Sequence, residues 1–541
     1  MAEAMISAPQ PEAAEAGADV LSSGGNAVDA AIACALVQTA VDPLMCGLAG
    51  FGSMQIYMPA DGTHTFIDFH GRAPLAATPD MWADKVVGQA EDGFGFILEG
   101  RINEVGYQSI TSPMSLRAYA RALETYGTRS MAELIEPAVR YCIDGVTVRP
   151  HMAQFWNDVP IYGQVPHPEY LRRVPATAKI YCGPNGELPR VGAVIKNPDM
   201  GRTLQRIAEH GAEDFYTGGI AAEIVADMAV NGGLITQADL DAAVPVDAAP
   251  LWTTYRGHRI ATNQPPGGGI MLVEMLNTLE NFDLAGMGHN TADYIATVSE
   301  AMKIATVDKD MHVGDPNFVD IPVEHLTSKS YAAEMADRIK RGEKTSVPRM
   351  TPGGRPESKD TTQISVVDGN GNCVSMTHSI GAPSGTITDG LGFMYNGCMA
   401  VFDPRPGRAG SLAPGKSRFT AMCPTLVFEG DSRDAKLVIG APGGTFITMG
   451  VLQGILNVID FGMSALEAVS APRFCTTSDT IDVTNRILRG TERELTAMGY
   501  PMRRTASGYG FAGVHAIRRT ADGLDGGADP GRDGIAIRVE V

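Results

Sequence analysis

Thr361 is the residue whose position in the sequence says most about chemistry. It follows a polar, Pro- and Gly-rich stretch at residues 346–360 and begins a run, Thr361–Asp368, with the composition of a β-strand. If the chain is cut between Asp360 and Thr361, one residue carries both a hydroxyl and a free α-amine. Such an amine has a pKa of about 7.7–8.0, against about 10.4 for lysine, so it can serve as general base for its own hydroxyl. The alternative is that Thr361 merely begins a strand, where threonine is common, and spacing alone favours this alternative.

A second strand follows the first, and the turn between them brings more hydroxyl groups towards Thr361. The second strand is predicted at Asn372–Ser379, after the turn residues Asp368-Gly-Asn-Gly371, in which Gly and Asn tolerate positive φ. A two-residue turn there pairs the strands antiparallel and places Thr361 opposite the region Thr377–Ile380. His378 in that region is predicted to be an ordinary strand residue rather than a base.

A glycine-rich turn, Gly440-Ala-Pro-Gly-Gly444, lies between a predicted strand at Lys436–Ile439 and a predicted apolar helix at Ile447–Asp460. Backbone N–H groups at the start of a helix have no partner within the helix, so they can bind an anion or a developing oxyanion. The alternative is a plain tight turn, which the turn considered in isolation favours.

Composition and missing motifs argue against other classes of protein. The formal charge of −19 disfavours nucleic-acid and anionic-membrane partners, and no apolar run approaches the ~20 residues that span a bilayer. The sequence contains no H-E-x-x-H, Walker A, strand-borne G-x-G-x-x-G or G-x-S-x-G motif. The eight cysteines are scattered without a C-x-x-C pair, so we expect free thiols. The first residues lack a basic segment followed by an apolar one, so we expect a cytoplasmic protein unless a signal sequence precedes them. We also expect neither a metal nor another cofactor.

Hydrophobic periodicity predicts the elements around these motifs. Helices are predicted at Pro9–Ser22 and Ala27–Thr39, a β-hairpin follows at 53–69, and the middle of the chain, 195–350, is helix-dominated. After the stretch 346–360, which we expect to be an exposed flexible linker, the chain becomes rich in strands. This change indicates either two domains or one domain interrupted by a processing site.

Taken together, these segments resemble the γ-glutamyltransferase family of N-terminal-nucleophile hydrolases along nearly the whole chain. The matching segments, in chain order, are Ala14–Ala31, Asp68–Pro74, Glu213–Gly218, Asn231–Ile235, Tyr255–Gly257, Asp360–Asp368 with Gly371–Asn372, Ala441–Gly444 and Ala468–Arg473. Three further segments, Met394–Gly397, Phe402–Gly407 and Ala413–Lys416, look closer to the branch with cephalosporin-acylase-like and small-amide hydrolases.

The resemblance implies an α+β fold, a four-layer αββα sandwich, made by one precursor cut into two subunits. The large subunit would be residues 1–360 and the small subunit 361–541, together forming one fused domain as a heterodimer, with a dimer of heterodimers as a further possibility. The resemblance also implies that Thr361 first attacks its own preceding carbonyl and later an amide substrate. By position, Gly443 and Gly444 carry over as oxyanion donors, and Ser379, with Thr377 beside it, as the hydroxyl that orients the new amine.

The sequence departs from the family where the family recognises the α-carboxylate of glutamate. The arginine of the motif Asp68–Pro74 is replaced by His70, and Arg72 is a nearby substitute. Two serines that assist the carboxylate correspond to Thr420 and Ala421. We expect these four residues to line the substrate site.

The family's anchor for the α-ammonium is also changed. Alignment through Asn396, which we expect to contact substrate, puts Val401 where the family has an aspartate, and an asparagine near the orienting hydroxyl becomes Gly381. Losing both ionic anchors disfavours a zwitterionic head group, because its charges would be buried without partners.

Three functions remain open from the sequence. The leading hypothesis is a self-processed amidohydrolase that passes an acyl group from Thr361 to water or an amine. The second is a true γ-glutamyl transferase or glutathione hydrolase that binds glutamate through Arg72. The third is a catalytically silent binding or assembly relative, against which the intact Thr361 and Gly443–Gly444 argue.

Overall fold

The computed structural model describes residues 2–90, 93, 95–158, 165–350, 361–505 and 510–541. The strands are β1 (Glu3–Ala8), β2 (Phe51–Met58), β3 (Thr63–Phe69), β4 (Val86–Gln89), β5 (Phe96–Leu98), β6 (Val146–Thr147), β7 (Val194–Ile195), β8 (Val246–Ala248), β9 (Leu251–Tyr255), β10 (His258–Thr262), β11 (Thr362–Val367), β12 (Cys373–Ser379), β13 (Thr425–Glu429), β14 (Ala435–Gly440), β15 (Phe474–Cys475), β16 (Ile481–Thr484), β17 (Met502–Thr505), β18 (His515–Thr520), β19 (Gly523–Ala528) and β20 (Ile535–Glu540).

The helices are α1 (Pro11–Ser22), α2 (Ala27–Val41), α3 (Ser115–Tyr126), α4 (Met131–Asp144), α5 (Pro150–Trp156), α6 (His167–Arg172), α7 (Pro175–Tyr181), α8 (Pro198–His210), α9 (Asp214–Thr217), α10 (Gly219–Val230), α11 (Gln237–Asp241), α12 (Gly269–Leu279), α13 (Leu284–Met287), α14 (Ala292–His312), α15 (Val323–Leu326), α16 (Lys329–Lys340), α17 (Ile447–Ile459), α18 (Ala465–Ser470) and α19 (Arg489–Ala497). Among the described residues, no helix is long and apolar enough to cross a membrane.

Two large sheets face each other between two layers of helices. The first sheet has seven strands in the order β20-β1-β11-β12-β2-β3-β8, and the second has six in the order β19-β18-β14-β13-β10-β9. Helices α1 and α2 pack on the first sheet, while α12, α17 and α18 pack on the second. An apolar cluster that includes Val367, Leu426 and Val438 lies between the sheets. The predicted αββα sandwich is confirmed.

The first sheet contains strands that precede residue 360 in the sequence and strands that follow it. Strand β11 pairs antiparallel with β1 on one edge and with β12 on the other, and β12 in turn pairs with β2. Because β11 begins at Thr362, its hydrogen bonds to β1 join the two parts of the chain that a cut before Thr361 would separate.

The side chains of β11 and β12 divide between the two faces of the sheet because successive residues of a strand point in opposite directions. Ile364 and Val366 belong to the core under α1 and α2. Gln363 and Ser365 point the other way, towards the second sheet, where the Ser365 hydroxyl bonds to the carbonyl of His515. Thr361 has the same parity as Gln363, so it lies on the polar face between the sheets.

Most predicted elements near the site are present, with two corrections. The connection between β11 and β12 has five residues, 368–372, not two, because Val367 pairs with Cys373 and the Asp368 carboxylate accepts from the N–H groups of Asn370 and Asn372. The strand pairing predicted from the turn is nevertheless correct.

The second correction concerns the stretch 346–360, predicted to be an exposed linker. Its first residues are held against the body: the Val347 N–H donates to Asp479 Oδ1 at 2.7 Å, and Val347 is buried. Arg349 pairs with Asp310 at 2.7 Å. Residues 351–360, which include the predicted processing residue Asp360, lie outside the described residues.

Candidate active site

Thr361 lies immediately before the first residue of β11, buried between the two sheets. Since Thr362 pairs with His378, the register puts Thr361 opposite Ser379, and the two hydroxyl oxygens are 3.0 Å apart. Thr361 is only 4% exposed, and its φ is +124°, a conformation that a β-branched residue adopts only under strain. The fold thus holds the Thr361 hydroxyl within hydrogen-bond distance of the Ser379 hydroxyl.

Ser379 is itself held by the backbone that follows it. Its Oγ accepts a hydrogen bond of 2.7 Å from the N–H of Gly381, whose φ of +72° suits glycine. With one lone pair taken by that amide, the serine hydroxyl has a defined orientation towards Thr361. This geometry agrees with the orienting role expected for Ser379.

Thr377 does not reach Thr361, in contrast to the expectation from the resemblance. Its hydroxyl donates to Gln363 Oε1 at 2.5 Å, and the Gln363 amide donates in turn to Ser375 Oγ at 3.1 Å. Thr377 is two residues from Ser379 on the same face, about 6.6 Å along the strand, which is too far for a hydrogen bond to Thr361. The residue therefore supports the polar layer between the sheets.

His378 points away from Thr361, as expected for a strand residue. Its Nδ1 lies 2.6 Å from the Tyr119 hydroxyl and its Nε2 2.7 Å from Gln38 Oε1, under the first sheet. Burial lowers the pKa of His378 to about 3, so the ring is neutral. No described histidine or carboxylate hydrogen-bonds to Thr361, whose hydroxyl donates to Ser379 Oγ.

The glycine-rich turn lies over the same end of β11. Strand β14 packs across β11 and β12, and its last residue, Gly440, touches the Gln363 side chain. The chain then turns through Gly443 and Gly444, with φ values of +142° and +56°, into a short 3₁₀ turn and helix α17. No described residue accepts from the N–H of Gly443 or Gly444. These amides, at the positive end of a helix, are available to an anionic oxygen.

A cavity of about 460 Å³ opens at this point, which is large enough for a small organic substrate. Thr361, Gly444, Thr420 and Ala421 line it, as the sequence predicts for a substrate site. Val401, in the position of the family's ammonium-binding aspartate, also lines it. The nucleophile candidate, the free amides and part of the predicted substrate pocket are thus in one place.

Three residues predicted to bind substrate do not line this cavity. The Arg72 guanidinium, which was expected to bind a substrate carboxylate, instead donates to the backbone carbonyls of Ala242 and Val244, at 3.1 and 3.2 Å. The Asn396 amide donates to the carbonyls of Ala49 and Thr111 at 2.9 Å, and it therefore holds loops together.

His70 is the third residue that the structure removes from the substrate site. Its ring is buried, 3.5 Å from Asp68, and burial together with the positive charge of Arg418 lowers its pKa to about 3. A neutral ring cannot supply the positive charge of the arginine it replaces. The sequence position is equivalent, but the charge is not.

The sequence analysis missed four basic residues that line the cavity. These are Lys309, Arg349, Arg408 and Arg418. Arg405 clamps Asp403 with two bonds of 2.8 and 2.7 Å, and Arg349 comes from the stretch taken to be a flexible linker. No spacing rule marks them, because they converge from separate loops.

The comparisons with known proteins agree with this geometry. The sequence pattern of the γ-glutamyltranspeptidase family matches residues 13–539. The chain is 35% identical to "Acylase ACY 1 proenzyme" of Pseudomonas sp. (strain V22), covering 99% of this chain and 93% of that protein. It is 34% identical to "Glutathione hydrolase proenzyme" of Escherichia coli (strain K12), covering 87% and 80%. The crystal structure of a cephalosporin acylase from Bacillus halodurans superposes with a TM-score of 0.85 at 29% identity, covering 99% and 96%. Its fold, its site and these relatives together show that the chain belongs to the γ-glutamyltranspeptidase family.

Proposed function

We propose that this protein is a self-processed amidohydrolase whose nucleophile is Thr361. The observation that carries the proposal is the position of the Thr361 hydroxyl, 3.0 Å from Ser379 Oγ, in a cavity that Gly444 also lines. The names of the relatives, which are proenzymes and hydrolases or acylases, support a precursor that is cut and then acts on an amide.

Self-processing begins with the hydroxyl of Thr361 attacking the carbonyl carbon of residue 360. The C–N bond then breaks, the nitrogen takes the proton that the hydroxyl lost, and the 360-residue segment is held as an ester on Thr361. Water hydrolyses the ester, which leaves a carboxylate at residue 360 and a free amine at Thr361. The φ of +124° at Thr361 is a strained conformation for a β-branched residue. Cleavage breaks the peptide bond before Thr361 and so relieves this strain, which favours the reaction.

Turnover of a substrate amide uses the same atoms. The free amine accepts the hydroxyl proton as Oγ attacks the amide carbon, and the N–H groups of Gly443 and Gly444 stabilise the oxyanion. The leaving amine takes the proton, and an acyl-threonine remains. Water, activated by the same amine, then attacks the ester and releases the acid.

Both subunits of the processed protein are expected to stay together as a heterodimer. Strand β11 of the small subunit keeps its ladders with β1 of the large subunit and with β12, and β12 pairs with β2 of the large subunit. Cutting one peptide bond at the end of β11 removes none of these hydrogen bonds.

The alternatives are less well supported by the contacts. A γ-glutamyl transferase that binds glutamate through Arg72 requires a guanidinium that here is bonded to two backbone carbonyls. A catalytically silent binding protein would not require a buried, strained threonine beside a serine hydroxyl, nor the free amides of Gly443 and Gly444.

The test is the fate of the precursor and of its variant Thr361→Ala. Purified wild-type protein should give two fragments, of residues 1–360 and 361–541, by intact mass under denaturing conditions, and should release amine from a panel of simple anilides. Thr361→Ala should remain a single chain and release none. A wild-type chain that stays intact and inactive, or a Thr361→Ala protein that still turns over, would overturn the proposal.

A further inference from the structure

A second set of polar side chains lies beneath the first sheet, on the face opposite the Thr361 hydroxyl. Thr362 and His378 point to this face, because successive residues of a strand alternate between the two faces. They pair directly across β11 and β12, and both side chains are fully buried. Since a buried polar group is costly unless it is hydrogen-bonded, the partners of these two residues are informative.

Gln38 of α2 connects Thr362 to His378 through one side-chain amide. Its Nε2 donates to Thr362 Oγ1 at 2.9 Å, and its Oε1 lies 2.7 Å from His378 Nε2. The second N–H of the amide donates to Gln10 Oε1, also at 2.9 Å. Both polar atoms of the amide are thus bonded, and Gln38 holds together the residue after the proposed nucleophile and the residue before its hydroxyl partner.

Asp42, which follows α2, sets the direction of these hydrogen bonds. Its Oδ2 accepts from Gln10 Nε2 at 2.9 Å, so the oxygen of the Gln10 amide faces Gln38. The Gln38 amide must then present its N–H groups to Gln10 and its oxygen to His378. Burial raises the pKa of Asp42 to about 6, while Arg149, whose Nη2 is 3.6 Å from Asp42 Oδ2, favours the ionised form. The carboxylate is therefore an acceptor above neutral pH.

The backbone of Gln10 is strained where its side chain meets this group. Its φ is +61°, in the left-handed region that residues other than glycine seldom adopt, and the residue is 2% exposed. Such strain persists where the surrounding structure demands one conformation. Here Gln10 Oε1 accepts from both Gln38 and the Thr362 hydroxyl, the latter at 3.2 Å. The side chains of Gln10, Gln38, Asp42, Thr362 and His378 thus form one connected group, the Gln38 network.

The Gln38 network takes the place of a neighbouring strand at the start of β11. Strand β1 pairs with β11 no nearer to the site than Ser365, so among the described strands residues 362–364 pair only with β12. The end of a strand that lacks a neighbour on one side separates easily, and a cut before Thr361 would make it a chain end. The bond from Gln38 to Thr362 holds the strand one residue from that end.

We propose that Gln38 is a positioning residue for the reaction of Thr361. It does not line the cavity, and it acts by fixing the ends of β11 and β12 to α2. The hydroxyls of Thr361 and Ser379 are thereby kept 3.0 Å apart. A displacement of about 1 Å at a reacting group can cost about 10²-fold in rate. This inference rests on the proposed function, which supplies the reaction that the network serves.

The experiment removes single hydrogen bonds of the network and measures two rates, cleavage of the precursor and hydrolysis by the processed enzyme. Thr362→Val keeps the shape of the side chain and loses its hydroxyl. We expect the cleavage rate and kcat to fall by about tenfold or more, with KM changed by less than about twofold. Thr362→Ser keeps the hydroxyl and should restore most of both rates. The probe is whichever of the acetyl, butanoyl and glutaryl anilides wild type hydrolyses fastest, at about pH 8, where Asp42 is ionised.

Gln38→Met tests the same contact from the helix. The new side chain is similar in size but makes none of the hydrogen bonds of the amide, so it should lower kcat as Thr362→Val does. The variant that combines both changes should be no slower than the slower single variant, because the two changes remove one shared contact. Independent effects would instead multiply.

Thr39→Val is the matched control for loss of stability. Thr39 is the next residue of α2, is 1% exposed, and donates to the Leu36 carbonyl of its own helix at 2.7 Å. Its replacement also removes a buried hydroxyl, and it should change the melting temperature without lowering kcat or the cleavage rate. A positioning role and a purely structural one therefore differ in kcat, not in stability.

The outcomes are separable from those that test the proposed function. If Thr362→Val and Gln38→Met keep the kcat and the cleavage rate of Thr39→Val, whatever their melting temperatures, the positioning role is wrong. A folded Thr362→Val precursor that is not cut, while Thr362→Ser is cut, supports the role from cleavage alone. If Gln38→Met does not fold, the comparison of Thr362→Val with Thr362→Ser decides. A wild type that is neither cut nor active overturns the proposed function instead, before any of these variants is made.

Discussion

At the scale of single residues, the proposed nucleophile is defined by two hydroxyl oxygens, of Thr361 at the start of β11 and of Ser379 in the neighbouring strand β12. Thr361 Oγ1 and Ser379 Oγ are 3.0 Å apart, and the amide of Gly381 fixes the serine from the other side. Neither a histidine nor a carboxylate takes part among the described residues. In the proposed mechanism, the reactivity of the threonine therefore depends on how its hydroxyl is held and on the amine that a cut before Thr361 would create.

Replacing Ser379 tests this arrangement. Ser379→Ala removes the hydroxyl that orients Thr361, so processing and kcat should both slow by about tenfold or more. Ser379→Thr, which keeps a hydroxyl, should be close to wild type. The matched control is Ser375→Ala, on the same strand and face, whose hydroxyl bonds to the Ile439 carbonyl and not to Thr361. Equal rates for Ser379→Ala and Ser375→Ala, followed by denaturing gels and amine release, would contradict the assignment.

At the scale of elements, the turn before α17 and the segment before residue 351 shape the cavity. The turn has two consecutive glycines with positive φ, and a Cβ on Gly443 would be 2.6 Å from the Ala512 Cα. The turn is therefore confined to glycine by both its backbone angle and its neighbour.

Gly443→Ala should move the turn and with it the amide N–H groups over Thr361. Loss of one oxyanion donor typically lowers kcat by about 10²–10³, and we expect a fall of this order, together with slower processing. Gly342→Ala is the control, since Gly342 has a φ of +76° but nothing within 4 Å of the added Cβ. Steady-state kinetics on both processed variants would contradict the role of the turn if the two rates fell equally.

The segment 345–350 stays docked because several bonds hold it. Asp479 accepts from the Val347 N–H at 2.7 Å and from the Ser346 hydroxyl at 3.2 Å, and Glu300 accepts from the Thr345 N–H at 2.7 Å. Since Arg349 and Met350 line the cavity, this segment forms part of its wall.

Asp479→Ala should weaken the attachment of the segment 345–350 to the rest of the protein, because it removes the hydrogen bonds to Ser346 and Val347. We expect limited proteolysis to trim the large subunit of the variant back towards residue 344, whereas wild type keeps residues up to 350, as read by intact mass. Asp61→Ala, in the exposed turn between β2 and β3, should behave like wild type. Identical trimming of Asp479→Ala and wild type would show that the other bonds suffice.

At the scale of the whole molecule, burial of neutral histidines between and beneath the sheets links stability to pH. Burial lowers the pKa of His70, His378 and His515 to about 3 in each case, while an unfolded histidine has a pKa of about 6.5. The unfolded chain therefore binds more protons than the folded one between these values. The stability that neutral burial contributes is complete above about pH 6.5 and is lost as the pH falls towards 3.

His378→Gln should reduce this dependence by up to about 1.4 kcal/mol per pH unit in the free energy of unfolding below pH 6.5, which is the share of one histidine. The measurement is denaturant unfolding at several pH values in the Thr361→Ala background, so that one chain unfolds. His210→Gln, an exposed residue, is the control. A slope against pH that is the same in the two variants would contradict the burial argument.

The sequence by itself determined the type and the approximate bounds of several helices and strands along the chain. Runs of alternating and apolar residues predicted α1, α2, β11, β12 and α17 close to their observed bounds, because local periodicity and turn residues are enough to define such elements. The pairing of Thr361 with Ser379 follows from the register of one hairpin, and the resemblance to a family identified both residues.

Only the tertiary structure decided what surrounds the threonine. Thr377 and Ser379 differ by two residues, yet only Ser379 is within hydrogen-bond distance of Thr361. Arg72 and His70 fit the family's pattern by position, but backbone carbonyls hold one and burial neutralises the other. Arg418 lines the same cavity as Thr361 although it lies 57 residues further along the chain, and no spacing rule predicts this. The physical reason is that charge and hydrogen bonding depend on burial and on partners distant in sequence, which the sheets and loops bring together only when the chain folds.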